Sequence, residues 1–367
     1  MSFAFTDDLG PEKVVELYDP SVGLKAIVVV DNTAAGPAIG GTRMAPDVTA
    51  QECFGLARAM TFKNAAAGLP HGGAKSVIAA DPAMPKAEKE HLIRAFARGL
   101  REIVSYIPGP DMGTNEEAMA WIRDENGRSV GLPAVLGGIP LDVIGATGYG
   151  LAASAEIAEK YCGVSLKGAR VAVQGYGAVG CHGARFLAEH GCVLVAAADS
   201  RGMTHNPDGL DIAALTRHHH TGQGVASFAG GKAGDRDAIV GADCDIWIPA
   251  ARPNVLTAAN VDQVKARLIL QGANIPATPE AEARLHERGV LSVPDFIANA
   301  GGVICASVEY HGGTETSAFA TIKEKIQRNT DEVLARVKRE GTLPRVAAVA
   351  MARERVERAM SFRRDHR

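Results

Sequence analysis

The chain has no CxxC pair, no basic cluster, no internal repeat and no apolar run long enough to cross a bilayer. Each absence excludes something. The six cysteines, Cys53, Cys162, Cys181, Cys192, Cys244 and Cys305, are scattered without regular spacing. They read as reduced, mostly buried small hydrophobes of a cytoplasmic protein rather than a disulfide framework. Net charge is −3 with both signs spread along the chain, which argues against a nucleic-acid or membrane-surface partner. The opening "MSFAFTDDLGPEKV" lacks the basic and apolar regions of a signal peptide. The run His218–His220 has no second cluster at ligand spacing, so a solvated helix end is expected and no metal.

What is present suits a globular chain: 46% hydrophobic and 22% charged residues over 367 positions, a length that favours two domains. Leu24–Asp31 is a β-branched, strand-like run, followed by a Gly/Pro loop, "GPAIGGTRMAP". Thr49–Gly68 reads as a helix, with Thr49 as N-cap, Glu52 three residues later and Gly68 as the stop. Ala74–Asp81 reads as a second strand and Pro85–Ser105 as an amphipathic helix. A further helix is expected after "GPDMGT", capped by Thr114 with Glu117. Beyond these, strands alternate with helices, which implies a parallel sheet covered on both faces. From about Thr314 the chain reads as two long helices broken at "EGTLP".

Two patterns carry chemistry. "VAVQGYGAVG" places Gly175, Gly177 and Gly180 after an apolar strand and at the start of a helix, and the next strand ends at Asp199. That is a complete dinucleotide-binding unit. Gly175 makes the tight turn, Gly177 lets backbone approach a pyrophosphate, and Gly180 permits close helix–strand packing. The helix start at Ala178 and Val179 favours negative charge. Asp199, followed by Ser200, would accept hydrogen bonds from a ribose 2′-hydroxyl and repel a 2′-phosphate, which favours NAD. Arg201 leaves NADP open. The second pattern is "KNAAAGLPHGGAK", with Lys63 and Lys75 at its ends, no acid inside it, and glycines expected to let backbone approach a ligand. A desolvated lysine beside a second cation is suited to general-base chemistry, while the other lysine holds a carboxylate. Asp111, in its own loop, would supply a counter-charge and a proton shuttle. The alternative is a helix-end lysine favoured by the dipole and a strand-edge charge.

The stretches "MTFKNAAAGLPHGGAK", "GPDMGTNEEAMAW", "ATGYG", "GANIPATPEA" and "PDFIANAGGV" occur in this order. Together they resemble the glutamate/leucine/phenylalanine/valine dehydrogenase superfamily over nearly the whole chain. The resemblance implies two α/β domains: an N-terminal catalytic domain, and a Rossmann-type, doubly wound dinucleotide-binding domain, with a cleft between them. The catalytic and oligomerisation domain is expected over residues 1–142, joined by a C-terminal helix at about 336–367, with the NAD-binding domain over 143–335. By the same resemblance Lys63 binds the substrate α-carboxylate, Lys75 is the catalytic base and Asp111 matches the catalytic aspartate. Thr147 and Asn274 meet the nicotinamide end of the cofactor, and Asn299 lies on the cleft wall. The implied reaction converts an L-amino acid to the 2-oxo acid plus ammonia, in a homo-oligomer and without metal.

The side-chain pocket is expected from Ile39, Gly40, Gly109, Val303, Ala306 and Asn274. Glutamate members of the family read the distal carboxylate with a lysine in "GPxKGG" and a serine three residues after "GGV". Here Ile39 and Ala306 stand at those positions. A buried glutamate side chain would lack partners, so the expectation is an apolar substrate: Leu, Val, Ile or Phe. Plain core packing is the other reading of Ile39 and Ala306. Several other stretches are closer to glutamate enzymes, which keeps a glutamate dehydrogenase with an atypical pocket as an alternative. A non-catalytic NAD-binding regulatory protein is a third.

Overall fold

The computed structural model describes residues 2–363, which divide into two compact units. The first runs to residue 141 and includes 303–318 and the chain from 349 onward. Its sheet contains β1 (Lys13–Asp19), β2 (Leu24–Asn32), β3 (Ala38–Ala45), β4 (Gly73–Ala79) and β5 (Tyr106–Pro110), in the order β1-β2-β4-β3-β5. The β1–β2 and β2–β4 pairs are antiparallel, whereas β3 runs parallel to both β4 and β5. Leu24–Asp31 is therefore an interior strand, paired on both sides. The edges are β5 and β1, and the half-exposed "KVVELYD" of β1 carried too weak an apolar signal to stand out. The stretch "AIGGTRMA", expected as a loop, is strand β3: its two glycines mask the alternation.

Helix α1 (Ala50–Ala66) begins as expected, with the Thr49 side chain accepting from the Glu52 amide. It packs Cys53, Phe54 and Ala57 onto Val29 and Val77. Helices α2 (Lys86–Gly99) and α3 (Glu116–Asn126) cover the opposite face, where Val28, Val30 and Ile78 meet Ile93, Phe96 and Met119. The two sets follow from alternation along each strand. Helix α2 ends at Gly99, short of the expected Ser105, because Gly99 lies against Leu17 of β1 and the chain then turns through Leu100 and Ile103 into β5. The cap of α3 is Asn115, accepting from Ala118, rather than Thr114.

The second unit comprises residues 142–302 and 319–348. Helices α4 (Leu141–Ile144) and α5 (Ala146–Cys162) lead into β6 (Arg170–Gln174), α6 (Ala178–Glu189), β7 (Val193–Asp199), β8 (Gly202–His205), α7 (Ile212–His220) and β9 (Lys232–Gly234). Then come β10 (Ile246–Pro249), β11 (Leu268–Leu270), α8 (Pro279–Glu287), β12 (Leu291–Val293) and α9 (Asp295–Ala298). Sheet order is β12-β11-β10-β6-β7-β8-β9, parallel from β12 to β7 and antiparallel beyond. Strand β6 has its successors on opposite sides, so its carboxyl end is the topological switch point where dinucleotides bind in such folds.

Three helices close the chain: α10 (Gly301–Tyr310), α11 (Glu315–Glu340) and α12 (Pro344–Ser361). The expected boundary at 335/336 falls inside α11, which runs through it unbroken. Thr330 on α11 bonds Ser154 on α5, and Arg345 at the start of α12 pairs with Glu282 and Asp295, which ties this stretch to the second unit. Residues 303–318 go with the first unit because the buried Glu309 carboxylate accepts from the Gly131, Leu132 and Ile139 amides. The expected helix end at 367 lies outside the described residues.

All six cysteines are unpaired. Burial pushes the thiols of Cys53, Cys192, Cys244 and Cys305 up to about 12, as inert core groups. No described helix is long and apolar enough to cross a membrane.

Candidate active site

Lys75 lies on β4 and Asp111 directly follows β5, with β3 running between those two strands. For the side chains to meet they must pass over β3, and they do so at Gly41. Nζ of Lys75 is 2.6 Å from Oδ2 of Asp111. A Cβ on Gly41 would sit 2.8 Å from the Asp111 Cβ and 3.0 Å from Nζ. Arg43, two residues along the same face of β3, donates to the same Oδ2 at 3.0 Å and also pairs with Glu52 of α1. Thr114 fixes the Asp111 loop, accepting from the Asp111 amide and donating to the Thr42 carbonyl. Burial works to raise the Asp111 carboxyl, but Lys75 and then Arg43 outweigh it and hold it below the ordinary carboxylate value. Asp111 thus stands at Lys75 as the expected counter-charge, and Arg43 is a second cation on the same carboxylate. Lys63 stands half-buried in the last turn of α1.

Moving back along the same face of β3, Gly41 is followed by Ile39, and Gly109 and Ile107 lie opposite them on β5. Ile39, Ile107, Val130 and Ala306 form one buried cluster. A Cβ on Gly109 would meet Val130 Cγ2 at 3.2 Å, so Val130 hangs over this floor. Ile39 and Ala306, far apart in sequence, thus share one apolar patch. It lies two strand positions, about 7 Å, from Gly41. Val303 is half-buried one turn before Ala306 on α10.

The glycines of the "PHGG" run do something other than expected. A Cβ on Gly72 would lie 1.7 Å from the Asn32 carbonyl oxygen, and one on Gly73 would lie 2.0 Å from the Thr61 amide. They let β4 press against α1 and β2, rather than offering backbone to a ligand. Gly40 is likewise required by the Ala74 carbonyl, 1.6 Å from where its Cβ would be.

In the second unit the three-glycine turn divides by role. Gly175 has φ +93°, and a Cβ on Gly180 would lie 2.1 Å from the Gly175 carbonyl oxygen. Gly177 meets nothing within 4 Å and caps α6 without any side chain. Ala178 is exposed and Val179 half-buried in the first turn of α6, and a helix start of this kind suits a pyrophosphate. Buried Gln174 Oε1 and Asn299 Oδ1 have no partner among the described residues. Asn299 donates to the Asn274 side chain at 3.1 Å, and Gly301 packs on Ala146 and Thr147. These residues fit a dinucleotide. Asp199 is more constrained than expected: its carboxylate accepts from the Arg201 and Val225 amides, and its side chain is 9% exposed. Ser200 is exposed beside it. The guanidinium of Arg201 is turned to the Gly222 carbonyl. Among the described residues no group of His, Cys, Asp and Glu has the arrangement of a metal site.

Arg43, Thr114, Ile107 and Val130 were not anticipated as site residues. For Arg43 and Ile107 the signal was strand alternation with Gly41 and Gly109; for Thr114 and Val130 nothing local marked them.

The family model for Glutamate/Leucine/Phenylalanine/Valine dehydrogenase matches residues 137–364, and that for the Glu/Leu/Phe/Val dehydrogenase dimerisation domain matches 11–128. The chain is 39% identical over 356 residues to a glutamate dehydrogenase of Aeropyrum pernix, covering 90% of this chain and 85% of that protein. It is 38% identical over 360 residues to an NADP(+)-dependent glutamate dehydrogenase of Pyrobaculum calidifontis, covering 91% and 85%. Among solved structures, a hetero-hexameric glutamate dehydrogenase from Thermus thermophilus in a Leu-bound form matches with a TM-score of 0.86 and 33% identity, over 97% of this chain and 91% of that one. The L-tryptophan dehydrogenase from Nostoc punctiforme matches with a TM-score of 0.77 and 26% identity, over 98% and 100%.

Proposed function

Because the chain belongs to the glutamate/leucine/phenylalanine/valine dehydrogenase family, and so is an amino acid dehydrogenase, we propose that it catalyses NAD-dependent, reversible oxidative deamination of an apolar L-amino acid. The candidates are leucine, valine, isoleucine and phenylalanine, and the products are the 2-oxo acid and ammonia. One observation carries this reading: a single face of the first sheet runs from Arg43, Asp111 and Lys75 over Gly41 and Gly109 to the Ile39–Ile107–Val130–Ala306 cluster. A substrate's charged backbone groups suit the first end and an apolar side chain suits the second.

In this reading Lys63 pairs with the substrate carboxylate and Asp111 holds the amine. A dinucleotide held by the second unit would supply the hydride acceptor for the α-carbon. Lys75, once it has given up its proton, draws a proton from the water that adds to the imine carbon. Asp111, 2.6 Å away, passes a proton to nitrogen as ammonia leaves. Gly175, Gly177, Ala178, Val179 and Gly180 would hold the pyrophosphate, Asp199 and Ser200 the ribose, and Thr147 and Asn274 the nicotinamide end. The named dimerisation domain and the hexameric neighbour support a homo-oligomer, and six unpaired cysteines suit the cytoplasm.

A second reading, glutamate as substrate, is favoured by the names of the relatives at 38–39% identity. Reduction of NAD followed by absorbance at alkaline pH, with Leu, Val, Ile, Phe and Glu, separates the two. Turnover of glutamate alone would sink the apolar reading. Turnover of none would point to the non-catalytic alternative, against which the assembled Lys75–Asp111 pair argues.

A further inference from the structure

The histidine run at the end of α7 is not the idle helix terminus the sequence suggests. His218 is committed to the Gly224 carbonyl and the Ser227 hydroxyl. His219 turns the other way, edge-on to the Tyr176 ring at 5.9 Å, with Nε2 3.9 Å from Oδ2 of Asp199. Tyr176 belongs to the three-glycine turn, and its hydroxyl contacts Thr216. His219 thus stands at the carboxylate proposed to hold the ribose, and its role rests on that proposal.

That carboxylate is fixed by two amides and is nine-tenths buried, so it cannot swing away from a 2′-phosphate of charge about −1.5 to −2. The available remedy is a cation at its side. Histidine is the side chain that changes charge between pH 5 and 8. We propose that His219 is a specificity-determining residue for the cofactor: charged, it offsets Asp199 and admits NADP; neutral, it leaves Asp199 to exclude it. The preference for NAD therefore narrows as pH falls.

The other charged and titratable groups at this end of α7 are Arg217, His218 and His220 on the helix itself and Arg201 on the loop after β7, while His182 of α6 interacts with His220, with Arg185 and with Asp142. Arg201 is fixed on Gly222, and a guanidinium brings no pH dependence. The 2′-phosphate itself takes up a proton near pH 6 and would also ease repulsion in acid. Only the difference between wild type and variant isolates His219.

The test is calorimetric titration of the full chain with NADH and NADPH, without substrate, at pH 6.5 and 8.5 and constant ionic strength. In the wild type the ratio of Kd for NADPH to Kd for NADH falls roughly fivefold between pH 8.5 and 6.5 beyond any fall in His219→Gln. His219→Arg, with a permanent charge, shows the low ratio at both pH values. Equal slopes in wild type and His219→Gln, or an unchanged ratio in His219→Arg at pH 8.5, overturn the proposal. Asp199→Asn separates the two levels. If it leaves the ratio at pH 8.5 unchanged, the ribose-acid reading fails and takes the proposal with it. If it narrows the ratio while the His219 variants do nothing, only the proposal fails.

Discussion

Lys75 Nζ and Asp111 Oδ2 meet at 2.6 Å across a strand position that has no side chain, Gly41. The pair joins β4 to the residue directly after β5, over β3, so its geometry is set by the sheet together with the Thr114 bonds that fix the Asp111 loop. Asp111→Asn removes the proton carrier and leaves buried Lys75 and half-buried Arg43 without their shared acid, Arg43 keeping only Glu52. The expected result is a fall in kcat of about 10²- to 10⁴-fold, with NADH binding unchanged by calorimetry. A near-normal kcat would remove Asp111 from the chemistry.

Gly41→Ala tests whether the crossing point matters. The new methyl would lie 2.8 Å from the Asp111 Cβ and 3.0 Å from Nζ of Lys75, so one of the two must move. A displacement of this size at reacting groups is expected to lower kcat by at least about tenfold. The circular dichroism spectrum and the cofactor Kd should be unchanged. Full activity would show that the pair is not needed at this distance.

The apolar end of the strip predicts its own conversion. Ile39→Lys places a cation among Ile107, Val130 and Ala306, where an apolar substrate gains nothing and a carboxylate side chain finds its partner. Steady-state kinetics should show kcat/KM for glutamate relative to leucine rising about 10- to 100-fold, more so with Ala306→Ser added. No change in that ratio would mean that Ile39 and Ala306 are core packing alone.

Much of this was legible in the sequence where local signals are strong. The Thr49 cap, the apolar strand before Gly175 and the break between α11 and α12 are each written in a few adjacent residues. Strand β3 was not, because "AIGGTRMA" spends its alternation on glycines whose reason lies elsewhere: Gly40 against Ala74, Gly41 against Lys75 and Asp111. Misreading β3 as a loop hid Arg43, which is recognisable only once Ile39, Gly41 and Arg43 are seen on one face. Gly72 and Gly73 invited a ligand reading for the same cause, since a glycine forced by a neighbouring backbone looks, in sequence, like one kept open for a substrate. Sheet order was beyond local reading too: that β2 is interior depends on β1, whose half-exposed pattern leaves little apolar signal.

His71, inside the same run, predicts an acid-side loss of stability. Its Nδ1–H donates to the Pro37 carbonyl, and its buried Nε2 has no partner among the described residues. Burial, only partly opposed by Pro37 and reinforced by His311, holds its pKa below the ordinary 6.5. The unfolded chain therefore binds more protons at this position once pH drops below 6.5. The resulting stability is fully present above that value and is lost as pH falls through it, at up to about 1.4 kcal/mol per pH unit. His71→Asn keeps a donor for Pro37 but cannot titrate. Urea unfolding at pH 7.5 and 5.5 should show a smaller loss in this variant than in the wild type. An equal loss would assign the effect to His182, which burial and Arg185 also hold down.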